Sequence, residues 1–201
     1  MARRFRKLHM IMRFDSSDIT PSVDSFQLRL LDSADADAML DYYLRNREAH
    51  AAWSPVPPAG FFTPGYQQEK IDQYRLAHRR GSEYRFVIVP ALDEETIVGS
   101  INLVSIERGV YLNGRLGYSI DDEWGGRGVM TSALGLVVDF AFDDLDLHRL
   151  EANVMPRNFR SRRVLEKCGF HRVGFSPKML CINGVWEDHE MYALLVDDRP
   201  G

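Results

Sequence analysis

Leu116-Gly-Tyr-Ser-Ile-Asp-Asp-Glu-Trp-Gly-Gly-Arg-Gly-Val-Met-Thr131 runs from an alternating apolar segment through a glycine-rich turn into a helical pattern. Met130, Leu134, Val138 and Ala141 continue that pattern and predict a helix over about residues 129–142. A strand, a glycine loop and a helix in this order can hold a pyrophosphate. The glycines let successive backbone N–H groups face one point, and the helix N-terminus adds partial positive charge. Arg127 can add a full charge. The spacing is not Gly-x-Gly-x-x-Gly, because Thr131 stands where the third glycine would be, and no Gly-Lys-Ser/Thr follows. Nicotinamide and nucleoside-triphosphatase readings are therefore weak. A plain tight loop with a glycine cap fits the same residues.

A second helix start lies downstream. Leu150, Ala152 and Val154 alternate with Glu151 and Asn153 as a strand, and Asn158-Phe-Arg-Ser161 opens a short helix to Cys168 with Gly169 at its C′ position. Arg160, Arg162 and Arg163 surround this start, and Asn158 can cap it. Two helix N-termini after two neighbouring strands favour an extended phosphorylated ligand between the strands. Taken alone, the second start is explained as well by capping and solvation.

Around this centre the pattern is β-α-α-β-β-β-α-β-α-β-β, a mixed α/β domain. Phe26, Leu28 and Leu30 predict an opening strand, and Ser33 reads as the N-cap of the next helix. Gln67–Arg80 predicts a second helix, and the strands fall near Tyr84–Val89, Ile97–Ile106 and Leu116–Ile120. A hairpin, Met179–Ile182 and Val185–Leu195, is turned by Asn183-Gly184. The 201 residues are 45% hydrophobic and 27% charged, which excludes a disordered or disulfide-framework chain. No run approaches the ~20 apolar residues of a membrane span. Met1–Phe14 lacks a signal-peptide core, so the expected compartment is the cytoplasm. Cys168 and Cys181 are too few and too far apart for a metal cluster, and no metal is expected. The net charge is −4. Residues 1–13 carry five bases and no acid. Residues 1–25 therefore read as a basic arm, and 26–196 as the domain. The arm suits nucleic acid, an unstructured start, or a true beginning at Met10 or Met12.

Trp124-Gly-Gly-Arg-Gly-Val-Met130, His148-Arg-Leu-Glu-Ala-Asn-Val154 and Asn158-x-x-Ser161-x-x-Val-Leu-Glu-Lys-Cys-Gly-Phe170, in this order, resemble the GNAT superfamily of N-acetyltransferases. Trp53-Ser-Pro-Val56, Leu116-Gly-Tyr-Ser-Ile120 and Ile182-Asn-Gly-Val-Trp-Glu-Asp-His189 are similar to its ribosomal-protein alanine acetyltransferases of the RimJ/RimL type. The resemblance spans about Phe26 to Leu195. It implies a mixed, mostly antiparallel sheet, split around acetyl-CoA and flanked by helices. It also implies that Tyr118, Ser119 and Ile120 pair with the pantetheine, one of their backbone N–H groups polarising the thioester carbonyl. Gly126, Arg127, Gly128, Val129, Met130 and Thr131 would take the pyrophosphate, and Asn158 the pantetheine arm. Arg162 or Arg163 would hold the nucleotide end. Many relatives place a tyrosine, which protonates the leaving thiolate, where this chain has Leu165. Ser161, one turn away, is the expected acid here.

Only a free amine attacks a thioester, and an α-amine with a pKa of about 7.7–8.0 is partly protonated at neutral pH. A proton acceptor is therefore useful. Glu151 can accept the proton or pair with a nearby arginine, and Asn153 can position a water. Glu48 and His50 are weaker candidates. His148 and His189 read as structural. The acceptor mouth is expected from Trp53–Pro64 and the terminal hairpin, with Trp186 and Asp188. An acyl-cysteine route is not expected, since Cys168 faces inward and Cys181 has no activating neighbour in sequence.

The resulting expectation is direct transfer, in a ternary complex, from acetyl-CoA to a protein N-terminal α-amine, alanine first. A ribosomal protein is the expected partner, with ribosome contact through the arm, no membrane or DNA partner, and a monomer or homodimer. The alternatives are acetylation of a small amine (a polyamine, amino acid or antibiotic) and a ribosome- or RNA-associated CoA-binding module without turnover.

Overall fold

The computed structural model describes the backbone of residues 11–13 and residues 25–199 in full. Most of the basic arm lies outside the described residues. Within it, β1 (Ile11–Arg13) pairs antiparallel with β2 (Phe26–Leu30).

The next helix starts later than Ser33 suggested. Asp32 is the cap, accepting from Ala34 N and exchanging a reciprocal bond with Asp35. Ser33–Asp35 wind as a tight 3-10 turn, and α1 (Ala36–Arg45) begins only after it. Both oxygens of the buried Asp35 are held by the Arg29 guanidinium at 2.7 Å, which stabilises this tighter turn. A single helical turn, α2 (Arg47–Ala51), follows. The helix expected from Gln67 begins three residues earlier, as α3 (Pro64–Arg79). Thr63 caps it, and Pro64 takes the first position, where a missing N–H costs nothing.

β3 (Tyr84–Pro90), β4 (Gly99–Glu107) and β5 (Asn113–Ile120) form a meander. After it come α4 (Val129–Asp139), β6 (Arg149–Val154) and α5 (Phe159–Lys167), then β7 (His171–Ile182) and β8 (Val185–Leu195). The α4 segment ends in a wider π turn, Phe140–Asp144, where one continuous helix was expected. β7 starts eight residues before the predicted Met179. Its alternation is hidden because much of this edge strand is exposed and because it bulges between Ser176 and Leu180. Asn183 and Gly184 both have positive φ, 46° and 82°, as a type I′ turn requires.

Among the described residues the sheet has eight strands, in the order β1-β2-β3-β4-β5-β6-β8-β7. All neighbours are antiparallel except β5 and β6. Successive side chains of β3 serve opposite faces. Phe86 and Ile88 join α4 and Leu165 of α5 in one core, while Val87 and Val89 join Met39, Tyr42 and Ile71 of α1 and α3 in the other. Burial on both faces explains the unbroken apolar run of β3. No helix among the described residues is long and apolar enough to cross a membrane.

Candidate active site

The site begins where two parallel strands part. β5 and β6 pair from Asn113–Arg149 to Leu116–Ala152 and no further. Beyond that point β5 stays with β4 as far as Ile120–Gly99, and β6 stays with β8 as far as Val154–Glu190. Each strand thus keeps its outer partner and loses its inner one, and a wedge opens between them. Asp121 N–H donates to the Val98 carbonyl on the β4 side at 2.8 Å, whereas the Ile120 carbonyl accepts from His50 Nε2 at 2.9 Å. Alternation along β5 therefore turns the backbone groups of Tyr118 and Ile120 toward the wedge.

The glycine loop closes one end of the wedge. Buried Asp121 caps the turn Asp122–Trp124 through Glu123 N, and its other oxygen is held by Arg45 Nε at 2.6 Å. Gly126 and Gly128 have φ of 78° and 84°, which L side chains resist. A Cβ at either would meet nothing within 4 Å, so the backbone is open to close approach by a phosphate. Gly128 caps α4, whose first N–H groups have no partner within the helix. Across the wedge, Asn158 Oδ1 accepts from Ser161 N at 3.1 Å. Tyr118 Oη lies 2.9 Å from Ser161 Oγ and 3.0 Å from the Ser161 carbonyl.

These elements enclose a cleft of about 520 Å³. Tyr118, Ser119 and Ile120 line it from β5, and Gly126, Gly128, Met130 and Thr131 from the loop and α4. Asn158, Ser161 and Arg163 line it from the start of α5, and Trp53 lines it as well. Val129 is buried in the core, and the Arg127 guanidinium lies over the Trp124 ring at 5.6 Å. Arg162 pairs through Nε with Glu190 at 3.0 Å and is outside the lining of the cleft. Glu151 pairs with Arg149 at 2.8 Å and is outside the lining of this cleft. Asn153 shares its face of β6 and is also outside that lining. Trp186 is exposed near the hairpin tip, and Asp188 accepts from Lys178 N at the β7 bulge, 2.8 Å away.

A second cavity of about 830 Å³ lies on the α1 side. Its wall is the loop from Ser54 to Thr63, where Pro55, Pro57 and Pro58 limit the backbone and Phe61 packs 4.8 Å from Tyr43, centroid to centroid. Asn183 N–H donates to the Ser54 carbonyl and ties the terminal hairpin to this loop. His50, Ser54 and Ser119 line both cavities, so the two meet at β5. Ser119 Oγ is fixed there by Tyr42 Oη at 2.8 Å and Ser100 Oγ at 3.2 Å.

Burial raises the phenols here. It lifts Tyr118 against the opposing bond from Ser161, and pushes Tyr43 up to about 12. Burial also pushes the Cys168 thiol up to about 11, so it stays protonated and poorly nucleophilic at neutral pH. No cluster of metal-ligating side chains occurs among the described residues. The Tyr118 hydroxyl was missed in sequence, because only the fold brings β5 against the start of α5.

The family described as Acetyltransferase (GNAT) domain matches residues 26–171. The chain belongs to this GNAT family. It is an acetyl-CoA-dependent N-acetyltransferase. The chain is 41% identical over 171 residues to a Bacillus subtilis protein named probable N-acetyltransferase YjcK, covering 85% of this chain and 94% of that one. The crystal structure of ribosomal-protein-S5-alanine acetyltransferase from Vibrio fischeri matches with a TM-score of 0.85 and 33% identity, over 95% of this chain and 100% of that one. Mycobacterium smegmatis RimJ, in complex with CoA-disulfide, matches with a TM-score of 0.82 and 27% identity, over 88% and 85% of the two chains. The GNAT cleft described above suits the same co-substrate: an open glycine backbone and a helix N-terminus for the phosphates, flanked by Arg163 and Lys167.

Proposed function

We propose that this acetyltransferase acts in the cytoplasm on the N-terminal α-amine of a protein, alanine first, with a ribosomal protein as the acceptor. The observation that carries this reading is the lining of the larger cavity. Among the described residues no aspartate or glutamate lines it; its charged or titratable members are Arg47, His50 and Tyr43. A polyamine carries several cations and needs carboxylates to offset their desolvation. An apolar, proline-walled cavity suits instead a short uncharged residue beside a single amine.

Placement supports the remaining roles. Acetyl-CoA supplies an activated acyl thioester. The loop from Gly126 to Thr131 holds its pyrophosphate, and Arg163 its nucleotide end. Asn158 spends its oxygen on the helix cap, which leaves its amide to donate to the pantetheine. A backbone N–H of Tyr118 or Ile120 polarises the carbonyl. Ser161 protonates the leaving sulfur. The single Tyr118 proton serves either the Ser161 carbonyl or Ser161 Oγ, and when it goes to Oγ the Ser161 proton is free to face the cleft.

The test is release of free thiol from acetyl-CoA with Ala-, Ser- and Met-starting peptides, spermidine, or no acceptor. Turnover on Ala- or Ser-starting peptides supports the reading. Turnover on spermidine alone overturns it and leaves the acetyltransferase intact.

A further inference from the structure

We propose that His50 accepts the proton of the attacking amine. The inference rests on acetyl transfer at the meeting point of the two cavities, and not on which amine is the acceptor. Of the three side chains that line both cavities, Ser54 and Ser119 are hydroxyls, and His50 alone carries a ring nitrogen that can accept a proton.

Its tautomer follows from its partner. A backbone carbonyl only accepts, so the Nε2 that lies 2.9 Å from the Ile120 oxygen carries the hydrogen. In the neutral ring Nδ1 then holds a lone pair, and it has no hydrogen-bond partner among the described residues. The ring is also held in place. His50 N–H donates to the Asn46 carbonyl at 2.9 Å, and Trp53 N–H donates to the His50 carbonyl at 2.9 Å. Asn46 is buried, with its amide on the Tyr42 carbonyl at 3.0 Å, and the Tyr42 ring lies 5.8 Å from the imidazole.

The other candidates are excluded by placement. Glu151 is neutralised by Arg149 and lines neither cavity, and Glu48 is exposed outside both. Asp122 lines the cleft but is exposed and paired with Arg160 at 2.8 Å. The step balances as follows. The amine nitrogen bonds to the carbonyl carbon, the carbon–sulfur bond breaks, and its electron pair leaves with sulfur. The amine proton passes to Nδ1, directly or through one water, and then to solvent. Sulfur takes its proton from Ser161 Oγ, which recovers one from solvent.

The experiment is H50Q, assayed with whichever acceptor the panel above shows to turn over. Glutamine can still donate to the Ile120 carbonyl but offers no basic nitrogen. We expect kcat to fall by about 10²-fold or more, with acetyl-CoA affinity unchanged. We also expect added imidazole to speed H50Q in proportion to its concentration, while the wild type does not respond. H50Q turnover close to wild type, or a loss that imidazole does not relieve, overturns the proposal. If H50Q does not fold, H50A decides by the same imidazole response. If no acceptor turns over, diethyl pyrocarbonate decides: His50 must be modified in the free enzyme, and its protection there overturns the proposal. Turnover on spermidine alone would remove the proposed acceptor and still test His50.

Discussion

Tyr118→Phe removes one oxygen at the point where β5 meets α5. In the native protein that oxygen bonds both the Ser161 carbonyl and Ser161 Oγ, at 3.0 and 2.9 Å. The ring stays, so packing is preserved and the loss is polar. Losing the bond and leaving one buried partner unmet costs about 1–3 kcal/mol. For a chain of this length, that lowers Tm by roughly 2–4 °C per kcal/mol. The effect on turnover is separable. Without the phenol, Ser161 Oγ can turn to its own carbonyl and no longer presents its proton to sulfur. A well-placed general acid contributes about 10²–10⁴-fold, and a misdirected one retains part of that. We expect kcat of Y118F to fall by roughly tenfold to a hundredfold, and that of S161A by at least as much. The double variant should resemble S161A, because the two side chains act as one unit. The assay is thiol release at saturating acetyl-CoA, with acetyl-CoA affinity measured separately by calorimetry. Wild-type kcat in Y118F, or losses that multiply in the double variant, would refute the coupling of Tyr118 to Ser161.

Two further outcomes follow from local geometry. Gly128 sits at φ 84° with open space beside it, so Gly128→Ala strains the backbone by about 1–2 kcal/mol. It also puts a methyl group where the phosphates approach; acetyl-CoA affinity by calorimetry should fall at least tenfold, with the fold intact by circular dichroism. Burial holds the Cys168 thiol up at about 11, so its thiolate appears only as the pH rises toward that value. Iodoacetamide at pH 8 should leave Cys168 unmodified in the native enzyme, and C168A should keep turnover within about twofold, as direct transfer without an acyl-cysteine requires.

Much of the fold was legible because its signals are local. Period-two alternation marks β2 and β6, the Asn-Gly turn marks the last hairpin, and Asn158 before a helical pattern marks the start of α5. The misplaced boundaries have equally definite causes. The helix start expected at Ser33 is delayed to Ala36 because Asp35, gripped by Arg29 of the preceding strand, closes a 3-10 turn capped by Asp32. The first half of β7 was hidden because an exposed, bulged edge strand has no buried face to impose alternation. Within the cleft, loop and helix residues were legible through glycine and cap chemistry. Glu151 was not resolved, because its partner Arg149 and its distance from the cavities are set by the face it takes on β6.

The amino-acid sequence by itself determined the order of strands and helices, the glycine loop ahead of α4 and the capped start of α5, since each depends on neighbours within a few residues. The family and its co-substrate are recognised instead from the motifs Trp124–Met130, His148–Val154 and Asn158–Phe170, which resemble the GNAT superfamily. The tertiary structure alone decided where β5 and β6 part, that the Tyr118 hydroxyl reaches Ser161, that His50 meets the Ile120 carbonyl, and that among the described residues no carboxylate lines the proline-walled cavity. Those contacts join residues 43 to 70 positions apart in the chain, or gather them from several elements at once. Their distances are set by how the helices pack on the two faces of the sheet, and no local pattern encodes that packing.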